Sequence, residues 1–304
     1  MKRIVSVSLG SSKRNKAAEL TLFGEPFRLE RIGVDGDMAR FRQTFLDLDT
    51  EVDAFGIGGA DLYVVAGDRR YAFQQIAGCV AGVQKPVADG SGLKHTLEAE
   101  SVRWLEDSGE IDFKRERAVL MSAVDRHGMA HALAERCPDV LYGDLMFGLG
   151  LPIPVRSIRA VERLGKLLLP IITRLPLKWF YPTGEKQEQR KPMHASLMKD
   201  RTFIAGDSLY ILRYAPNDLT GKTVLTQSVR KRDREFFQKA GLSRLVLTTL
   251  EVEGESFATN VLEAALLALY GVRAEQLTRP MILDAFERMN WKPQVIRLNP
   301  TETP

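Results

Sequence analysis

The sequence predicts an α/β protein of two domains: an N-terminal α/β domain, then a Rossmann-like parallel-sheet domain carrying a basic amphipathic helical insertion. Three observations carry this prediction. Arg117 to Asp144 run through an apolar stretch (Ala118 to Val124), a polar turn (Asp125-Arg126-His127-Gly128), a helical pattern (Met129, Leu133, Ala134) and a second apolar stretch (Val140 to Tyr142). Strand, turn, helix and strand in so short a span form a βαβ unit, which belongs to a parallel sheet covered by helices. Further on, Phe203 to Ala205, Thr223 to Thr226 and Leu245 to Thr248 are short apolar runs, each ended by small or polar residues, as suits buried parallel strands. Finally, the first hundred or so residues carry a set of strands and helices of their own. A hinge at Glu106 to Glu116 divides the chain into residues 1–110 and 111–304, with the insertion at 148–200.

The elements follow in order. Ile4 to Leu9 is a strand with its turn at Gly10-Ser11-Ser12-Lys13, and Ala18 to Phe23 and Phe27 to Ile32 form a hairpin around Gly24-Glu25. Asp37 caps a helix from Met38 to Leu48, because its side chain can accept from the first free amides. Val52 to Ile57 is a buried strand closed by Gly58-Gly59. A second hairpin surrounds Ala66-Gly67-Asp68-Arg69, a helix covers Gln74 to Val83, and Pro86 to Ala88 is extended. The loop Asp89 to Lys94 precedes a helix that continues through Trp104. In the last third, Asn260 caps a helix from Val261 to Leu269, another helix spans Arg279 to Met289, and the end is loose and polar.

Composition narrows the function classes. Of 304 residues, 44% are hydrophobic and 27% charged, which are ordinary globular values. The net charge of +4 is slight, and the basic residues are not interleaved with aromatics along one face, so no nucleic-acid partner is expected. Cys79 and Cys137 stand far apart in apolar contexts and read as buried free thiols of a reducing compartment. The opening MKRIVSVSLG reads as a first strand, no apolar stretch is long enough to span a bilayer, and a cytoplasmic location is expected.

Several residues are suited to chemistry. In Asp89-Gly90-Ser91-Gly92-Leu93-Lys94 the glycines admit a close ligand approach, while Asp89 and Lys94 supply opposite charges before a helix N-terminus. Lys94 can shuttle a proton to a bound hydroxyl when a carboxylate sets its charge, and Asp89 and Asp61 are placed to do so. The bland alternative is a surface turn whose polar groups cap a helix. In the βαβ unit, Asp144 stands about 20 positions beyond the first turn, where dinucleotide-binding folds keep the acid that holds the ribose. Of the G-x-G-x-x-G fingerprint only Gly128 is present; Asp125 repels a phosphate, whereas Arg126 and His127 attract one. Gly206 and Asp207 end a later strand and would line the same cleft. The alternative is a plain α/β turn with a solvated charge cluster.

No metal signature is found. His95, His127, His131 and His194 are scattered, and only His127 and His131 share helical spacing, without the intervening Glu of a zinc protease. There is no G-x-S-x-G elbow and no Walker lysine motif. In the insertion, Ile158, Val161, Leu164 and Leu168 lie opposite Arg156, Arg159, Arg163 and Lys166, and Leu177-Lys178-Trp179-Phe180-Tyr181 follow. Residues 157–181 therefore suit a membrane surface, a lid, a self-association face, or a partly buried helical hairpin.

Six segments, VSVSLGSSKR, VDAFGIGGADLY, VADGSGLKHTLE, GDLMFGLGLPIP, YPTGEKQE and SFATNVLEAAL, together resemble the quinate 5-dehydrogenases over nearly the whole chain. That resemblance implies NAD(P)-dependent oxidation of quinate or a related cyclic polyol, with a Lys and an Asp of the first domain flanking the reacting hydroxyl. Lys94 answers to that Lys, although its surrounding motif differs. The glycine-rich cofactor loop is replaced by Ser122 to Gly128. The resulting expectation is an NAD(P)-dependent dehydrogenase of a small hydroxylated substrate, with NAD favoured by Asp144. Two alternatives stay open. One is an actin-like phosphotransferase using ATP, suggested by the Gly10-Ser11-Ser12-Lys13 turn and its neighbours. The other is a non-catalytic protein that binds a ligand or a membrane surface.

Overall fold

The computed structural model describes residues 1–179, 189–249, 251–252, 255–256 and 258–299. It is a mixed α/β protein with parallel sheets in two compact units. The first unit comprises residues 1–96, 166–187 and 251–291; the second comprises 97–165, 188–250 and 292–304.

The chain opens with β1 (Lys2–Ser8), followed by the hairpin β2 (Lys16–Leu22) and β3 (Glu25–Gly33). Phe23 and Gly24 both take positive φ, 54° and 83°, as the tight two-residue turn of a twisted hairpin requires. Next come α1 (Met38–Leu48), β4 (Ala54–Gly58), the hairpin β5 (Tyr63–Ala66) and β6 (Arg69–Ala72), α2 (Gln74–Val80), β7 (Val87–Ala88) and α3 (Ser91–Asp107). Asp37 caps α1 by accepting from the amides of Ala39 and Arg40. The stretch read as a loop, Asp89 to Lys94, is mostly the first turn of α3. The sheet order is β2-β3-β1-β4-β7, parallel except for the hairpin strand β2.

The expected βαβ unit is present as β8 (Arg117–Leu120), α4 (His127–Arg136) and β9 (Asp139–Tyr142). Then follow α5 (Ile158–Ile172), which runs on through Pro170, then α6 (Ala195–Met198), β10 (Phe203–Ala205), α7 (Ser208–Tyr214), β11 (Thr223–Thr226), α8 (Lys231–Lys239) and β12 (Arg244–Leu247). Strands β8 to β12 are parallel in the order β9-β8-β10-β11-β12. Because side chains alternate, Ala118 and Leu120 join Phe203, Ala205, Leu225 and Val246 on one face, and Val119, Ile204, Val224 and Leu245 line the other. Burial on both faces explains why these strands read as continuous apolar runs.

Towards the end come the short antiparallel strands β13 (Glu251–Val252) and β14 (Glu255–Ser256), then α9 (Thr259–Tyr270), α10 (Arg279–Arg288) and β15 (Gln294–Arg297). The expected loose end thus contains β15, an antiparallel edge strand beside β12; Gln294 to Arg297 is too short and polar to show strand periodicity. In the first unit, α9 lies against β1, β4 and β7 and is buried from Thr259 to Leu267. On β4, Phe55 stacks edge-on with Phe45 of α1, its ring centroid 5.0 Å away. Its neighbour Gly56 points to the opposite face, where a Cβ would lie 2.9 Å from Asn260 Nδ2 and 3.0 Å from the Asn260 carbonyl oxygen. A Gly56→Ala substitution therefore overpacks the junction of β4 and α9. It should destabilise the protein by about 1–3 kcal/mol in urea unfolding, with an unchanged m-value.

Candidate functional site

The C-terminal strand ends of the first unit's sheet gather a buried polar cluster. After β4 the chain turns through Gly58-Gly59-Ala60 to Asp61; after β7 it reaches Asp89 and enters α3, whose first turns carry Ser91 and Lys94. Asp61, Asp89, Ser91 and Lys94 are all buried, as are Ser6, Asn260 and Glu263 from β1 and α9. Lys94 Nζ donates to Asp61 Oδ1 at 2.5 Å. Asp89 Oδ2 accepts from the amides of Leu62 (3.0 Å) and Tyr63 (2.9 Å), and Oδ1 accepts from the amide and hydroxyl of Ser91. Lys94, Asp89 and Asp61 thus lie in one buried polar cluster.

Asn260, Glu263 and Ser6 were not foreseen. Asn260 does not cap α9: that helix starts at Thr259 without a side-chain cap, and Asn260 Nδ2 donates to Ser6 Oγ at 2.7 Å. Glu263 Oε2 accepts from the amide of Leu93 at 2.8 Å, inside the first turn of α3. Gly92 makes room for that carboxyl, since a Cβ there would lie 2.9 Å from Glu263 Oε2. Burial, then the charge of Asp89, pushes the Glu263 carboxyl up to about 7. Asn260 at the start of the apolar run VLEAALLALY and Glu263 inside it were the available signal, because such residues enter a core only when partnered.

In the second unit, the residues expected to hold a cofactor are occupied with one another. Asp144 Oδ1 accepts from Ser122 Oγ (3.1 Å) and from the amides of Ala123 (2.9 Å) and Val124 (3.0 Å). Burial raises its pKa and these bonds partly offset the rise. The amides that would face a pyrophosphate thus face a protein carboxyl, and Asp144 is turned away from any ribose. Arg126 is 1% exposed and pairs with Glu98, with Asp125 (2.9 Å) and with Asp207 (2.9 Å). Asp207 also caps α7 through the amides of Leu209 and Tyr210 and accepts from Gln227 Nε2 at 2.6 Å. Gly206, at φ 142°, brings β10 against Met121, whose Cβ would be 2.9 Å from an added Cβ. Gly128 lies within α4. These residues do not fit NAD or NADP.

His127 and His131 stand on the first turns of α4, near Glu162 of α5. On α5, Val161 and Leu169 are buried while Arg159, Arg163 and Lys166 are exposed, together with Leu167, Ile171 and, beyond the helix, Trp179. Phe180 and Tyr181 lie outside the described residues. Among the described residues no helix is long and apolar enough to cross a membrane. The Gly10 to Lys13 turn behind the phosphotransferase alternative spends its groups internally: the Ser12 amide donates to Asp35 Oδ1 (2.7 Å) and the Lys13 amide to Ser11 Oγ (3.2 Å). Cys79 and Cys137 are free and buried.

Residues 92–298 match the family described as Domain of unknown function (DUF8754), and the chain belongs to it. Residues 3–89 match a second domain of unknown function, DUF8753. No curated protein matches. Among solved structures, LsrB from Clostridium saccharobutylicum in complex with AI-2 aligns at 12% identity over 88% of this chain and 82% of that one, with a TM-score of 0.37. A galactofuranose-binding protein aligns at 10% identity over 100% and 94%, TM-score 0.36. A periplasmic solute-binding protein of an ABC transporter from Actinobacillus succinogenes, with bound D-allose, aligns at 10% over 98% of each chain, TM-score 0.34. At such scores no property of those proteins transfers to this chain.

These findings correct the sequence expectations. The family is one of unknown function, and the solved structures just named are solute-binding proteins, not quinate dehydrogenases or other oxidoreductases. The closed Asp144 and Arg126 networks overturn the NAD(P) dehydrogenase reading. The cytoplasmic location, expected from the free thiols, the strand-like opening and the lack of a bilayer-spanning stretch, is not carried further: the D-allose protein is described as periplasmic.

Two outcomes test these networks. Arg126→Met removes the cation that Glu98, Asp125 and Asp207 share. It should cost about 3–5 kcal/mol in chemical denaturation, partly recovered by adding Glu98→Gln. The second concerns Glu263, which holds its proton to about pH 7 in the folded protein against an ordinary 4.5. The folded state then binds the extra proton, so this stabilisation is complete below pH 4.5 and is lost as pH rises through 7. Glu263→Gln should flatten that fall, which is on the order of 3 kcal/mol, in melting curves recorded from pH 4 to 8.

Proposed function

We propose that the protein binds, without transforming it, a small neutral molecule rich in hydroxyl groups, of the monosaccharide class. The proposed site is the C-terminal strand edge of the first unit, with Asp61 and Lys94 as contacts and Asp89 fixing the loop and helix start beside them. The general rule that open α/β sheets take ligands beyond their strand C-termini supports the location. The strand order of the second sheet, β9-β8-β10-β11-β12, supports reading it as the doubly wound type that follows 2-1-3-4-5, in preference to the six-stranded Rossmann order.

The observation that carries the reading is how the first turn of α3 is used. Asp89 accepts from the amide of Ser91 and Glu263 from that of Leu93. A helix N-terminus left open attracts phosphate or carboxylate; here two protein carboxyls already take that place, so an anionic ligand is disfavoured. Asp61 and Lys94 instead offer an acceptor and a donor side by side. A hydroxyl group satisfies both, giving its proton to the carboxylate and accepting from the ammonium. In a largely desolvated cluster such bonds discriminate strongly against a ligand that cannot make them.

The test is titration of the full chain with D-ribose, D-allose and D-galactose, followed by thermal melting and calorimetry. A bound sugar at 100 times its Kd should stabilise the fold by about 2.7 kcal/mol, and Lys94→Met or Asp61→Asn should abolish the effect. No response to any sugar at millimolar concentration, or an undiminished response in both variants, overturns the proposal.

A further inference from the structure

We propose that His127, His131 and Glu162 form a binding site for a divalent transition-metal ion of the zinc class, with a fourth position open to water. The two histidines are four residues apart on one face of α4, and Glu162 reaches them from α5, both within the second unit. His131 Nε2 lies 3.1 Å from His127 Nε2 and 2.9 Å from Glu162 Oε1, and His127 Nε2 lies 3.6 Å from the same oxygen. Zinc bonds of about 2.0–2.1 Å at tetrahedral angles place ligand atoms about 3.3–3.4 Å apart. The three observed edges bracket that value. A point about 2.0–2.1 Å from all three atoms exists roughly 0.8 Å off their plane.

Proton counting favours the ion over a simple hydrogen-bonded cluster. An imidazole nitrogen carries one hydrogen at most. In a hydrogen-bonded cluster His131 Nε2 can meet both neighbours only by sharing its single hydrogen between Glu162 and His127, both within bonding distance. A cation facing three lone pairs satisfies every contact at once. The ligand set, two imidazoles and one carboxylate, is that of zinc sites with an open coordination position. The side chains are partly accessible, His131 at 41%, so an ion and its water can enter from solvent. The positive end of α4 opposes a cation, and the charge of Glu162 offsets it. The sequence shows only His127 and His131; Glu162 lies far along the chain and is supplied by the fold.

The test uses the full chain, free of any affinity tag and stripped with chelator, titrated calorimetrically with zinc chloride and, separately, with cobalt(II). One zinc ion per chain is expected, together with the visible absorption bands of tetrahedral cobalt. His131→Ala and Glu162→Gln should each weaken binding on the order of 100-fold or more, since losing a ligand exceeds the effect of losing its outer-shell partner. His131 is half-exposed and Gln matches Glu in shape, so both variants should keep the wild-type circular dichroism. His194→Ala, whose imidazole lies 3.2 Å from the Met146 carbonyl oxygen, should bind as the wild type does. No stoichiometric zinc, or unchanged zinc affinity in both ligand variants, overturns the site.

Discussion

The first unit depends on one close approach: α9 seated against the sheet face at β1, β4 and β7, and against the start of α3. Three glycines make it possible. Gly56 clears Asn260, Gly90 clears Thr259 and Gly92 clears Glu263, each with less room than a methyl group needs. The approach carries two polar side chains into the core, and each is met there: Asn260 by Ser6 and Glu263 by the Leu93 amide. Hydrophobic burial alone would seat an apolar helix in several registers. Polar groups that lose their partners in all but one register select the arrangement, because an unmet buried amide or carboxyl is costly.

Four of the segments that carried the dehydrogenase resemblance meet at this place: VSVSLGSSKR through Ser6, VDAFGIGGADLY through Gly56 and Asp61, VADGSGLKHTLE through Gly90, Gly92 and Lys94, and SFATNVLEAAL through Asn260 and Glu263. The resemblance was thus written in residues that build a structural junction, and packing of that junction does not define a reaction. The cofactor reading failed for a related reason. Its strand–turn–helix frame is real, but Asp144 occupies the amides of the turn and Arg126 is enclosed by carboxylates. Spacing places a side chain near a turn; only three-dimensional contacts tell whether it faces a ligand or closes the turn upon itself.

Much of the fold was legible because its signals are local. Alternation around Gly24 marked the β2–β3 hairpin, Asp37 marked the start of α1, and continuous apolar runs marked β8, β10 and β11. The reading weakened where one residue serves a distant partner. Asn260 has the chemistry of a helix cap, yet its amide is drawn to Ser6, and Gln294 to Arg297 become a strand only because β12 offers an open edge. Lys94, Asp89 and Asp61 were found from charge and turn position. Glu263, which acts on the same helix end, was not, because nothing near it in sequence shows that an amide from residue 93 awaits its carboxyl.

The return of α9 also bears on how the chain reaches its native state. The sheet of β1, β3, β4 and β7 is complete within the first ninety residues, but the helix covering one of its faces is synthesised only after strands β8 to β12 of the second sheet. Until residues 259–270 emerge, a growing chain exposes a strand surface without its cover, the kind of intermediate that aggregates or recruits chaperones. The contacts that close it span roughly 170 to 250 residues, and such long loops slow the final docking step. The segment 3–89, although recognisable as a separate stretch of sequence, is therefore covered by a helix that lies outside it.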